Sequence, residues 1–121
     1  MVSRINERMT FPRAHHRLAI YGTLAPGRSN HDQISMIEGN WFEGTVRGWL
    51  SEDGWGATLG FPGLKLDPEG DPVPVQVLES PELPEHWARL DEFEGAEYAR
   101  VVARVETHNG VIEASIYVVA P

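Results

Sequence analysis

The strongest constraint on how this chain can fold lies between residues 99 and 119, where two β-prone runs, Ala99 to Thr107 and Val111 to Val119, are separated only by His108-Asn109-Gly110. Asn-Gly favours the positive φ of a type I′ turn, so the spacing predicts an antiparallel hairpin turning on that pair. Upstream, Arg17 to Tyr21 is a short β-prone run stopped by Gly22 and reads as a buried strand. Trp41 to Leu50 and Val73 to Leu78 read as further strands. The Gly-, Pro- and Asp-rich stretch 54–74 reads as loops with short strands near Ala57-Leu59 and Leu64-Leu66.

Two helices are expected between these strands. His31 to Glu38 carries Ile34 and Ile37 three apart, with Gly39 placed to end it. Pro84 suits the first turn of the second helix, whose positions Leu83, Trp87, Leu90 and Glu94 follow at spacings of 4, 3 and 4 before Gly95 stops it. About six or seven strands with two helices and no internal repeat imply an α+β domain, a small mixed β-barrel with flanking short helices. Residues 1–16 show no sustained period and read as a disordered N-terminal tail, leaving 17–121 as a single domain.

Charge narrows the classes of partner. The chain carries a net charge of −8, but residues 1–17 hold Arg4, Arg8, Arg13 and Arg17 against Glu7 alone, a local balance of +3 that leaves −11 on the other 104 residues. Such a surface repels a phosphate backbone, so nucleic acid is not an expected partner and a small molecule or a protein fits better. The absence of cysteine excludes disulfides, thiolate catalysis and cysteine-ligated metals. No stretch approaches the roughly eighteen apolar residues that cross a bilayer, and no apolar signal run opens the chain, so no membrane association and a cytoplasmic location are the expectations.

Two segments carry candidate chemistry. The loop Gly22-Thr23-Leu24-Ala25-Pro26-Gly27-Arg28-Ser29 nearly matches a phosphate-binding loop, but Arg28 replaces the lysine that reaches the phosphates. It is either a plain turn or a loop whose free backbone N–H groups hold a carboxylate or a developing oxyanion. The second candidate is Glu94. A glutamate in the last turn of a helix is ordinarily solvated, yet this one shares a face with Leu83, Trp87 and Leu90, sits at the negative end of the helix dipole, and has Asp91 and Glu97 nearby. Each of those features disfavours the ionised form and prepares the group to accept and return a proton near neutral pH. The five histidines lack ligand spacing, so no metal is expected, and no G-x-S-x-G elbow is present. Trp41, Trp49, Trp55 and Trp87 read as core and strand aromatics rather than as a stacking platform.

Taken together, the two segments resemble the signatures of one family. Tyr21-Gly22-Thr23-Leu24 followed by Gly27 is similar to the first signature loop of the γ-glutamylcyclotransferase and AIG2-like superfamily. Leu90-Asp91-Glu92-Phe93-Glu94-Gly95 with Tyr98 and Arg100 is similar to the second, and Gly60-Phe61-Pro62-Gly63-Leu64 to a Pro-bearing segment between them. The resemblance covers about residues 17–119 and looks closer to the short bacterial and γ-glutamylamine-type members. One departure is Gln76, where the family pattern has a glycine.

The resemblance implies a compact β-barrel and an enzyme that releases 5-oxoproline from a γ-glutamyl amine or amide, with Glu94 as acid and base. It implies that Tyr21, Gly22, Thr23 and Leu24 hold the substrate's α-carboxylate and carbonyl, with Tyr98 and Tyr117 lining the site. The reaction as implied needs no cofactor, and the expected partner is a small γ-glutamyl compound. A module that binds a small carboxylate or a protein without catalysis is the alternative, because one fold hosts many roles.

Overall fold

In the computed structural model the described residues are 13–21, 31–51 and 63–120, and they form a closed barrel with short helical turns. Six strands run in chain order: β1 (Arg17–Ile20), β2 (Asn40–Ser51), β3 (Gly63–Leu66), β4 (Asp71–Glu79), β5 (Tyr98–Thr107) and β6 (Gly110–Val119). Five of them, in the order β2-β4-β1-β6-β5, close through the pair Thr45↔Glu106 between β2 and β5. Strand β3 pairs with the end of β2 from Gly48 to Ser51. The β1–β6 pair is parallel and the others antiparallel, so the barrel is mixed as the sequence implied.

Strand β1 shows why Leu18, Ala19 and Ile20, after Arg17, form an unbroken apolar run. Side chains alternate between the two faces of a strand. Leu18 and Ile20 pack outward into one cluster with Leu78, Leu83, Trp87, Leu90 and Tyr117, whereas Ala19 points into the barrel with Val46, Val77, Val105 and Ile116. A strand covered on both faces needs apolar residues at every position. Strand β4 carries two prolines because β1 covers only Gln76–Glu79 of it. Pro72 and Pro74 fall where β2 is the sole partner, and a missing N–H is tolerated on an edge.

The hairpin is present with its turn displaced by one residue from the predicted centre. Thr107 pairs with Gly110, leaving His108 and Asn109 as the loop. The Thr107 hydroxyl accepts from the Asn109 N–H at 3.2 Å and donates to the Gly110 carbonyl at 2.7 Å, and this side chain competes with an Asn-Gly-centred turn. Gly110 still supplies the positive φ, at 111°, and a Cβ there would meet nothing within 4 Å, so the backbone angle alone selects glycine.

Both predicted helices are shorter than expected. The first is a 3₁₀ turn, His31–Gln33, continued by i→i+3 bonds from Ile34 N–H to the His31 carbonyl and from Ile37 N–H to the Ile34 carbonyl. Such tight turns bury Ile34 and Ile37 on one side as well as a helix would, which is why the spacing misled. The second divides into a 3₁₀ turn, Leu83–Glu85, and the α-helix α1, Trp87–Glu94. No helix among the described residues is long and apolar enough to cross a membrane.

Of the segment expected to be a tail, residues 13–16 are docked on the barrel. Arg13–His16 forms a 3₁₀ turn packed on the domain: Ala14 is buried and its carbonyl accepts from Ser115 Oγ at 2.7 Å. The His15 carbonyl accepts from the Trp87 indole, and the His16 carbonyl from the Ser80 N–H. These backbone acceptors are satisfied by tertiary partners, which residue periodicity does not reveal. Residues 1–12 lie outside the described part, as does the strand expected near Ala57-Leu59.

Candidate active site

Helix α1 presents Trp87 and Leu90 to the outer core cluster, both buried, because they lie three apart on one face. Glu94 follows Leu90 by four and lands on the same stripe, half-buried in the final turn. Burial first, and then the negative charge of Asp91 one turn back, push its carboxyl up from 4.5 to about 7. Of the like charges expected to act on it, Asp91 does so, whereas Glu97 bears on Tyr98 instead. A carboxyl poised near neutrality can take up a proton and give it back.

The helix ends at Gly95, whose φ of 85° and ψ of 177° lie in a region essentially restricted to glycine. The Glu-Gly pair is therefore a backbone requirement: the chain must reverse here to send Tyr98 into β5 while Glu94 stays on the buried face. Gly95→Ala is expected to destabilise the fold by about 1–3 kcal/mol, read as a lower midpoint in urea at unchanged slope.

Beside Glu94 a hydrogen-bonded chain crosses from the helix to the barrel. Asp91 receives Arg100 Nε on Oδ1 at 2.9 Å and Nη2 on Oδ2 at 3.2 Å, a two-point contact that suits guanidinium and carboxylate. Tyr117 Oη donates to the same Oδ1 at 2.6 Å. Hydrogen bonding to Arg100 is the main cause holding the Asp91 carboxyl below its usual range, with Tyr117 adding to it. The Arg100 guanidinium also lies 4.3 Å from the centre of the Trp87 ring, in cation–π range. From β6 the chain continues to the residue after β1, Tyr21, whose Oη donates to the Tyr117 carbonyl at 2.7 Å.

Burial is the first cause raising all three tyrosines of this region, Tyr21, Tyr98 and Tyr117, and each is raised further by the charge of Glu94. They stay protonated at neutral pH and can donate hydrogen bonds. Four of the candidate residues, Tyr21, Glu94, Tyr98 and Tyr117, are thus brought together from the end of β1 and from α1, β5 and β6. Gly22, Thr23 and Leu24, and Gly60-Phe61-Pro62, lie outside the described residues. Sequence reasoning missed Asp91 and Arg100 as a pair: both stood in the second signature, but Asp91 was weighed only as a like charge near Glu94.

A groove of about 760 Å³ opens on the barrel beside this cluster, lined by Tyr21, Thr45, Gln76, Glu106 and His108 among others. Of the four clustered residues it touches Tyr21 alone.

No curated protein matches the chain significantly. Among solved structures, YkqA from Bacillus subtilis superposes with a TM-score of 0.67 at 27% identity, over 86% of this chain and 35% of that one, so the chain spans about a third of that protein. An AIG2-like protein from Mus musculus gives 0.67 at 23% identity over 87% and 77% of the two chains. PH0828 from Pyrococcus horikoshii gives 0.62 at 24% over 87% and 78%. Residues 18–121, which include both signature segments and all of the barrel but Arg17, match the family described as gamma-glutamyl cyclotransferase, AIG2-like. With fold, signatures and profile in agreement over most of its length, the chain belongs to the γ-glutamyl cyclotransferase, AIG2-like family.

Proposed function

We propose that this protein cyclises the γ-glutamyl group of a small γ-glutamyl amine or amide to 5-oxoproline and releases the free amine. The observation that carries this reading is the half-buried Glu94, with a carboxyl raised to about 7 at the end of an apolar helix face and three protonated tyrosines nearby.

The substrate's α-amine has an ordinary pKa of about 8 and arrives mostly as an ammonium. Ionised Glu94 removes one proton, and the amine nitrogen attacks the γ-carbonyl carbon to close a five-membered ring. The carbonyl oxygen becomes an oxyanion, for which the family resemblance points to the backbone N–H groups of Gly22 to Leu24. As the oxyanion collapses, the bond from that carbon to the departing nitrogen breaks while Glu94 gives its proton to that nitrogen; Glu94 then takes the second proton from the ring nitrogen and passes it to the freed amine, which leaves as an ammonium. Ring closure within one molecule needs the folded rotamer held in place, and this is the work of the residues gripping the α-carboxylate. Tyr98 and Tyr117 line the wall, the Tyr117 hydroxyl being given to Asp91.

The test is 5-oxoproline release from a panel of γ-glutamyl amines and amino acids. Turnover of at least one compound is expected, with kcat/KM falling about tenfold per pH unit below 7, where Glu94 is protonated, and declining again above the amine's own pKa. Binding of panel members without release of 5-oxoproline from any would replace this reading by that of a carboxylate-binding module.

A further inference from the structure

The Asp91 network does more than join two elements. Asp91 is three residues before Glu94 on α1, so the two carboxylates share one helix face. It accepts three hydrogen bonds, all from the β5–β6 pair, in which Arg100 and Tyr117 stand directly opposite. The charge nearest Glu94 on its own face is therefore a carboxylate whose field is offset by one guanidinium, itself held against Trp87.

Resting on the proposed reaction for its catalytic meaning, we infer that Asp91 and Arg100 are positioning residues whose opposed charges set the pH at which Glu94 gives up its proton. Asp91 pushes that pH up, and Arg100, through its two-point contact with Asp91, offsets that push, so the distance held between them is a tuning element of the site. Among the described residues, the other groups facing Glu94 cannot take this part. Tyr98 from β5, Tyr117 from β6 and Tyr21 from the end of β1 are neutral. Glu97 follows the helix and bears on Tyr98. Glu92 is exposed, and Arg89, with Glu85 and His86 of the preceding turn, belongs to the opposite end of the helix.

The prediction separates tuning from mere support of the fold. Loss of support in either variant would expose Glu94 and lower its titration midpoint toward the ordinary value. Tuning demands opposite signs: Asp91→Asn lowers the midpoint by about one pH unit, and Arg100→Gln raises it by a similar amount. Arg100→Lys, which keeps the charge and loses the two-point geometry, lies between Arg100→Gln and the unmodified protein. The measurement is the side-chain carboxyl resonance of Glu94 followed by NMR against pH without substrate, identified by its absence in Glu94→Gln. Circular dichroism establishes that each variant is folded.

Because substrate is absent, failure of the proposed reaction would leave this result standing, and the reverse also holds. Where turnover is present, the acid limb of kcat/KM moves with the NMR midpoint in each variant. Tyr117→Phe, which removes one donor from Asp91, provides a second route if Asp91→Asn does not fold, and shifts the midpoint upward. Downward or absent shifts in folded Arg100→Gln would overturn the inference.

Discussion

Glu94→Gln is expected to lower 5-oxoproline release by about 10²- to 10⁴-fold, the usual yield of a positioned acid–base group. The same substitution is expected to stabilise the protein at neutral and alkaline pH. In the unfolded chain the carboxyl titrates at its ordinary 4.5, and in the folded protein at about 7, so the folded state binds the proton more tightly. The contribution of the protonated group is complete below 4.5, falls as pH rises through the interval, and is gone above 7. At pH 8 the ionised, half-buried carboxylate therefore costs about 2–3 kcal/mol, which the neutral amide avoids. Urea unfolding of both proteins at pH 4 and pH 8 reads this directly: the two stabilities converge at the lower pH and separate at the higher. Equal stability at pH 8 would mean that Glu94 is solvated, and with it the proposed mechanism would fall.

Leu90→Ala is expected to be the most damaging of the conservative truncations near the site. Leu90 is fully buried in the outer cluster that also holds Leu83, Leu78 and Tyr117, one turn before Glu94. Removing such a side chain costs about 2–5 kcal/mol in transfer and cavity terms. Domains of this kind have about 5–15 kcal/mol in total, so the variant can lose a third or more of its stability. By contrast, breaking the exposed Arg47–Glu106 pair, at 3.6 Å, is expected to change stability by about 1 kcal/mol or less. Thermal or urea midpoints of the two variants, compared side by side, check both numbers.

The two stability experiments also show how the site is built. Glu94 is withdrawn from water because Leu90 and Trp87 anchor the same helix face, so the apolar stripe that secures α1 is what shifts the carboxyl. The cost of that placement falls on the stability of the fold at the pH where the group would work.

Features governed by neighbours in the chain were legible in advance. The hairpin, the two-faced apolar run of β1, the stop at Gly95 and the amphipathic placement of Glu94 all follow from backbone preference and side-chain period, which act over a few residues. Where prediction erred, it did so over short distances too: the Thr107 hydroxyl displaced the turn by one residue, and tight i→i+3 turns served Ile34 and Ile37 in place of a helix.

What tertiary structure alone decided was which of these local pieces meet. The pairing of Arg100 with Asp91, the bond from Tyr117 to that carboxylate 26 residues away, the reach of Tyr21 across 96 residues to the Tyr117 carbonyl, and the docking of residues 13–16 on Ser80, Trp87 and Ser115 depend on barrel closure. Hydrogen bonds and charge interactions act only at contact range, and residues distant in sequence acquire that range once strand order and register are set. Sequence thus marked Glu94 as a carboxylate held near apolar neighbours, and the folded barrel determined the counter-charges among which it titrates.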